Sequence, residues 1–99
     1  MGSRKVTILD ATVDEVARIA FFIEAKGLPV TAKKFVDDAF RFFDKLSSEK
    51  IVHRPCKYLP WLVLNYRCAN FRKKYIVAYL ENSKEIVICD FILQKSLPE

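Results

Sequence analysis

The chain has 99 residues, of which 52% are hydrophobic and 29% are charged. This length predicts one small domain over residues 1–99 and excludes a two-domain enzyme, because there is no room for a second domain core. The longest apolar runs, Ile19–Ile23 and Ile76–Leu80, are far below the roughly 18 residues of a membrane span, so no membrane partner is expected. Seventeen Lys and Arg against twelve Asp and Glu give a net charge of +5, which favours a polyanion or an acidic protein as partner.

The cysteine content favours a reducing compartment. Cys56, Cys68 and Cys89 are an odd number without a C-x-x-C pair, whereas a short secreted domain normally carries an even disulfide set. The segment before Asp10 also lacks the apolar core of a secretory signal. We therefore expect a cytoplasmic protein with small buried thiols. A zinc site made of these cysteines and His53 is the less favoured alternative, so no metal or cofactor is expected.

The chain begins with the pattern of a strand followed by a helix. Lys5–Leu9 alternates apolar and polar residues and predicts a short first strand. Thr12 and Glu15 have capping-box spacing, in which the two side chains satisfy backbone N–H groups at a helix start. Apolar residues then recur at helical spacing until Gly27, which favours a left-handed stop. The first helix is expected at about 13–26.

A second helix is predicted over Thr31–Leu46. Its apolar residues form one wide stripe, which consists of Ala32, Phe35, Val36, Ala39, Phe40, Phe43 and Leu46. The link Leu28–Val30 is short enough to force an antiparallel helical hairpin. Charges on the other face are most simply solvated, with Asp37 and Asp38 at pairing distance from Arg41.

The second half of the chain changes from a loop to strands. Ser47–Pro60 contains two prolines and is read as a loop. The three strands predicted after it are Trp61–Phe71, Tyr75–Leu80 and Glu85–Leu93. The order β-α-α-β-β-β predicts an α+β fold, with a mainly antiparallel sheet and the helical hairpin on one face. The last two strands are apolar on both faces, so the other face is either a site or the seat of a partner, or else is buried by the chain's own loops.

This order of elements resembles the RelE/ParE superfamily of bacterial toxins, of the plasmid-stabilisation type. The resemblance spans nearly the whole chain and includes Tyr66-Arg67 in the second strand, Tyr75–Tyr79 in the third and Glu85–Ile88 in the fourth. Its most specific part is the Tyr-x-x-x-Tyr strand, followed by a polar turn, an aliphatic strand and the basic tail Lys95–Pro98. The resemblance implies a type II toxin that a cognate antitoxin wraps and silences.

In the endonuclease branch of this superfamily, the resemblance implies that basic side chains hold a scissile phosphate while the ribose 2′-hydroxyl attacks it. Arg67 and Lys95 match the positions of catalytic cations. The chain departs from the pattern at Ile76, where endonucleases usually carry arginine, and at Ser96-Leu97, which dilute the tail. It also lacks a histidine or tyrosine near the end of the last strand to act as general acid. Whether the chain is an enzyme therefore stays open.

The preferred function is a ribosome-dependent messenger-RNA endonuclease that inhibits translation. The alternatives are a poison of DNA gyrase, which acts by binding, and a non-toxic interaction or nucleic-acid-binding module of the same fold. The implied partners are the antitoxin and either the ribosome with its message or gyrase. A homodimer is left open, and no cofactor is implied.

Basic and aromatic residues alternate around the turn between the second and third strands, which suits phosphate contacts and base stacking. The predicted nucleic-acid-binding residues are Arg67, Arg72, Lys73, Lys74 and Tyr75. The alternative is a polar hairpin tip without a ligand. Lys57, Tyr58 and Trp61 extend the same character, although Trp61 is more typical of a core anchor.

Two further polar residues are expected to be structural. Asp90 is a carboxylate inside the apolar fourth strand, and pairing with Arg67 across the sheet is favoured over a role as general base. His53 lies beside Pro55 in the loop and is expected to be solvated rather than catalytic.

Overall fold

A computed structural model describes residues 4–48 and 53–96, so Leu97 and Pro98 of the basic tail lie outside the described residues. The elements are β1 (Lys5–Ile8), α1 (Asp10–Ala25), α2 (Pro29–Ser48), α3 (Leu59–Val63), β2 (Arg67–Phe71), β3 (Tyr75–Glu81), β4 (Glu85–Leu93) and a short 3₁₀ helix (Gln94–Ser96). The sheet has the order β1-β4-β3-β2, with β1 parallel to β4 and the other neighbours antiparallel. The predicted α+β class is confirmed. The helices in the described part of the chain are too short or too polar to span a membrane.

Helix α1 begins at Asp10, earlier than the sequence pattern predicts. The predicted capping box is wrong, because Thr12 lies inside the helix and its buried hydroxyl donates a hydrogen bond of 3.2 Å to the carbonyl of Ile88. Glu15 instead forms an ion pair with Arg18. The Thr12 hydroxyl therefore joins the helix to β4, a long-range contact that capping-box spacing does not reveal.

Helix α2 begins at Pro29, two residues before its predicted start. Proline suits a first helical turn, because the N–H that it lacks would have no partner there. Gly27 has φ 84° and ends α1 as predicted. The hairpin packs on one side of the sheet, which we call the helix face, and forms the main core. Its buried residues are Val16, Ile19, Phe35, Ala39, Phe43, Leu46, Ala69, Phe71, Val77, Tyr79, Ile86, Ile88 and Phe91.

The predicted strand from Trp61 to Phe71 is wrong in its first half. Residues 59–63 form the short helix α3, and β2 begins only at Arg67. Pro60 lies in the first turn of α3, where proline favours a helix start. Asn65 has φ 62° and ends the helix, and asparagine tolerates this left-handed conformation better than most residues.

The segment that contains α3 covers part of the far face of the sheet, opposite the helical hairpin. Its side chains form a second core around the buried residues Cys56, Trp61 and Ala78. Partly buried residues complete this second core, namely Tyr58, Tyr66, Cys68, Ile76 and Ile92. The chain therefore buries part of the far face with its own segment. Of the two alternatives that the sequence leaves open for this face, burial by the chain's own loops is the one found over this part.

Cys56 and Cys68 form a disulfide with a Cα–Cα distance of 5.0 Å. The prediction of buried thiols is therefore wrong for these two residues and correct for Cys89. The N–H of Cys56 donates to the carbonyl of Tyr66, and the N–H of Cys68 donates to that of Arg54. These bonds hold the two cysteines side by side, a pairing that the sequence spacing alone does not show.

Candidate functional site

A groove of about 1220 Å³ opens where three segments of the chain meet. One wall is the start of α3 with the residues before it, another is the β2–β3 turn with the start of β3, and the third is the end of β4. The lining residues are Lys57, Tyr58, Leu59, Pro60, Lys73, Lys74, Tyr75, Ile76, Leu93, Gln94 and Lys95. We call it the lysine groove.

The lysine groove is cationic. Lys57, Lys73, Lys74 and Lys95 line it, and among the residues that the structure describes no Asp or Glu does. Within residues 4–48 and 53–96, none of these four lysines takes part in an ion pair. Like charges that share a concave wall concentrate the electrostatic potential and raise the local concentration of anions. The groove is therefore built to accept an anionic ligand.

The β2–β3 turn presents two of these lysines on a constrained backbone. Arg72 has φ 55° and Lys73 has φ 62°, and the N–H of Lys74 donates to the carbonyl of Phe71 at 3.3 Å. This is the geometry of a type I′ turn, in which Gly or Asn is usual because other residues pay about 1–2 kcal/mol for the left-handed conformation. The N–H of Gln94 donates to the carbonyl of Lys74 at 2.8 Å, which joins the turn to the end of β4.

Four of the predicted site residues meet in this groove: Lys73, Lys74, Tyr75 and Lys95. The ring of Tyr75, however, stacks on Phe91 of the main core, with centroids 5.3 Å apart and planes at 22°. The ring of Tyr75 therefore packs partly against the main core, and this contact limits the ring surface that can stack on a base.

Arg72 points away from the lysine groove. Its guanidinium forms an ion pair with Asp38 of α2 and lies over the rings of Phe35 and Phe71, at 5.5 and 5.3 Å from their centroids. The hydrogen bond from Arg72 holds the pKa of Asp38 below its usual value. Through these contacts Arg72 joins the β2–β3 turn to α2.

Arg67 lies at the opposite end of β2 from the turn. Its Nη1 donates a hydrogen bond of 3.3 Å to the carbonyl of His53. The expected pair with Asp90 is wrong, because Asp90 accepts a hydrogen bond of 2.8 Å from the N–H of Phe91 instead. In the sheet register Arg67 pairs with Tyr79 whereas Asp90 pairs with Ala78, so the two side chains leave the sheet on opposite faces.

His53 is not the solvated loop residue that the sequence indicates. Its Nδ1 lies 2.6 Å from the hydroxyl of Tyr79, and the two rings meet edge to face. Burial raises the pKa of Tyr79 to about 12, so the phenol stays neutral at physiological pH. These residues are 26 positions apart, so local sequence patterns carry no signal of their contact.

The sequence matches no protein-family model and no curated protein. Its structure is similar to a chain in a solved structure described as the chromosomal ParDE toxin–antitoxin system from P. aeruginosa. The TM-score is 0.76 at 16% identity, and the match covers 92% of this chain and 96% of that chain. At this identity the likeness shows the fold, and that fold agrees with the one that the predicted resemblance implies.

Proposed function

We propose that the chain is the toxin component of a type II toxin–antitoxin module and that its lysine groove holds the phosphate backbone of messenger RNA on the ribosome. The likeness to a chain of the ParDE system supports the toxin role, with a cognate antitoxin as partner. A bacterial cytoplasm as the location is part of the proposal. The observation that carries the binding role is the groove wall, where four lysines meet and the described residues supply no carboxylate.

The chemistry that suits this groove is cleavage of RNA by its own 2′-hydroxyl. The 2′-oxygen attacks the adjacent phosphorus, the 5′-oxygen of the next nucleotide leaves, and a 2′,3′-cyclic phosphate remains. Ammonium groups of Lys73, Lys74 and Lys95 stabilise the charge that develops on the phosphoryl oxygens. Tyr58 lines the same groove, and its hydroxyl is assigned to protonate the leaving oxygen, while water takes the proton of the 2′-hydroxyl.

This assignment differs from the pair of catalytic cations that the resemblance implies. Lys95 keeps its role, whereas Arg67 has none, because it does not line the groove and instead binds the carbonyl of His53. Tyr58 supplies the acid that the sequence pattern lacks. It lies before α3 in the chain, but the fold places it in the same groove as Leu93 and Gln94 at the end of the last strand.

Expression in a bacterium that lacks the antitoxin tests the proposal. We expect growth arrest, with new 5′-hydroxyl ends inside translated messages. The triple variant Lys73→Ala, Lys74→Ala, Lys95→Ala should abolish both effects. The matched control, Lys5→Ala, Lys33→Ala, Lys84→Ala, removes the same charge outside the groove and should remain toxic. Normal growth at confirmed soluble expression of the parent would refute the toxin role.

The second candidate is a gyrase poison, favoured because the described groove wall contains no histidine or carboxylate to act as a general base. This function needs binding alone, without bond chemistry by the toxin. Growth arrest with chromosomal double-strand breaks and intact messages would identify it. A Tyr58→Phe variant separates the two functions as well, since it should slow RNA cleavage at least about tenfold and leave binding to gyrase unchanged.

A further inference from the structure

Asp38 of α2 reaches across the fold to the β2–β3 turn. Its Oδ2 atom accepts a hydrogen bond from Nη2 of Arg72, which lies 34 positions later in the chain. Its Oδ1 atom lies 3.8 Å from Nη1 of Arg41, one helical turn along α2. Asp38 itself lies outside the wall of the lysine groove. The ion pair therefore ties the helical hairpin to the turn that presents two of the groove lysines.

The β2–β3 turn depends on contacts from outside to keep its shape. Its central residues, Arg72 and Lys73, both have a positive φ, which side chains other than Gly and Asn rarely adopt. A strained conformation of this kind persists only where the surrounding structure imposes it. On one side of Lys73, Arg72 is paired with Asp38. On the other side, the N–H of Gln94 donates to the carbonyl of Lys74. Lys73 is therefore held between two anchored residues.

Loss of the ion pair should act on the turn rather than on the whole fold. The side chains of Arg72 and Asp38 are 38% and 25% exposed, and ion pairs with this much contact with water contribute little to the free energy of unfolding. Other residues of α2, such as Phe35 and Ala39, make its contacts with the main core. Removal of the carboxylate should therefore give a looser turn in a protein that is still folded.

We propose that Asp38 is a positioning residue, which acts through Arg72 to hold the β2–β3 turn in the conformation that places Lys73 and Lys74 in the lysine groove. The identification of the ligand as RNA rests on the function proposed above. In this role a carboxylate strengthens the binding of an anion. Its charge alone does the reverse, because it reduces the positive potential that attracts phosphate.

This difference in sign provides the test. Asp38→Asn keeps the shape of the side chain and makes a basic protein more positive, so long-range electrostatics alone predicts tighter binding of RNA. Positioning predicts the opposite, since the lysines lose their preorganisation: the affinity for a labelled single-stranded RNA should fall at least about fivefold. The salt dependence of binding should fall by about one phosphate contact. The matched control Asp37→Asn removes the same charge from an exposed neighbour on α2 and should bind RNA at least as tightly as the parent.

Two further measurements separate positioning from a general loss of structure. Asp38→Glu retains the carboxylate and should restore the affinity to within about twofold of the parent. Nuclear magnetic resonance relaxation should show that the backbone N–H groups of Lys73 and Lys74 are rigid in the parent and in Asp37→Asn and flexible in Asp38→Asn. Urea titration should show that each variant is folded, with nearly the free energy of unfolding of the parent.

Three results would overturn the inference: binding of RNA by Asp38→Asn as tight as by Asp37→Asn, an equally rigid turn in these two variants, or unfolding of the whole protein in Asp38→Asn, which would make the ion pair a structural one. Growth assays test the proposed function separately. If Asp38→Asn weakens RNA binding as expected but the parent does not arrest growth, the toxin role fails and the positioning role of Asp38 stands. If the parent is toxic but the two variants bind RNA alike, the toxin role stands and the positioning role fails.

Discussion

Tyr79 connects the main core to the loop that follows α2. It is among the largest fully buried side chains, so its hydroxyl requires a partner inside the protein. The Nδ1 atom of His53, 2.6 Å away, supplies one. Arg67 holds the same histidine through its carbonyl. The three residues fix the start of the segment that later forms a wall of the lysine groove.

The raised pKa of Tyr79 predicts a loss of stability in alkali. Because the folded pKa of about 12 lies above the ordinary tyrosine value of about 10, the folded state holds the proton more tightly than the unfolded state. The stabilisation is complete below about pH 10 and is lost as the pH rises toward 12. Tyr79→Phe should remove this part of the alkaline loss and lower the free energy of unfolding at pH 7 by about 1 kcal/mol, measured by urea titration. An unchanged alkaline slope in the variant would contradict the prediction.

The side chains that the sequence placed correctly are those whose position depends on local structure. Lys73 and Lys74 lie in a turn between two recognisable strands, and the structure brings both into the groove. Arg72, in the same turn, is predicted from the sequence to bind nucleic acid, but the structure pairs it with Asp38, which is 34 positions away on α2 and carries no local signal of this contact. The residue types of this turn indicate a basic surface, but only the packing of α2 decides which cation is left unpaired.

At the scale of elements, the β2–β3 turn combines a strained backbone with the ligand-facing lysines. Lys73 has a positive φ, which glycine adopts without strain. We predict that Lys73→Gly stabilises the fold by about 0.5–1 kcal/mol and reduces the salt dependence of RNA binding by about one phosphate contact. Lys84→Gly in the β3–β4 turn, where φ is not positive, is the control and should destabilise. Equal destabilisation by both changes, seen in urea unfolding, would show that the turn is not strained.

Helix α3 shows where sequence periodicity fails. Residues Trp61–Leu64 are all apolar, so the run fits a buried strand as well as a helix, and its length does not decide between them. Strand β4 has clearer limits, with polar turn residues before Glu85, and it occupies Glu85–Leu93 as predicted. What distinguishes helix from strand in the Trp61 segment is a tertiary contact: Trp61 is buried in the second core on the far face, and this burial holds α3 in place.

At the scale of the whole molecule, the sheet carries a core on each face, and the two cores differ in how they are held. The main core is closed by two helices of 16 and 20 residues. The second core is closed by α3 and its neighbours, with five helical residues and the Cys56–Cys68 disulfide. The α3 segment that closes the second core also forms one wall of the lysine groove. The groove therefore depends on the smaller of the two cores.

The disulfide is expected to contribute substantially to the free energy of unfolding. It closes a loop with a sequence separation of 12, for which loop-closure entropy gives about 3 kcal/mol. Cys56→Ser, Cys68→Ser should therefore lower the stability by up to about 3 kcal/mol in denaturant titration. Addition of dithiothreitol should destabilise the parent by a similar amount and leave the double variant unaffected. An equal effect of the reductant on both proteins would show that the disulfide is not responsible.

The two cores should also respond separately when the bond is lost. Trp61 is the single tryptophan and lies in the second core, so its fluorescence reports on that core alone. In the double cysteine variant we expect a red shift of this emission and faster hydrogen exchange of residues 54–66, while the far-ultraviolet dichroism of the helices persists. Phe43→Ala, which opens a cavity in the main core, should instead lower the stability of the whole fold by about 3–5 kcal/mol, with fluorescence and dichroism changing together. If the cysteine variant also lost both signals in one transition, the cores would form a single cooperative unit. If instead the fluorescence and dichroism signals change in separate transitions, a reducing cytoplasm would loosen the groove wall formed by the α3 segment, while the helical hairpin and the sheet stay folded.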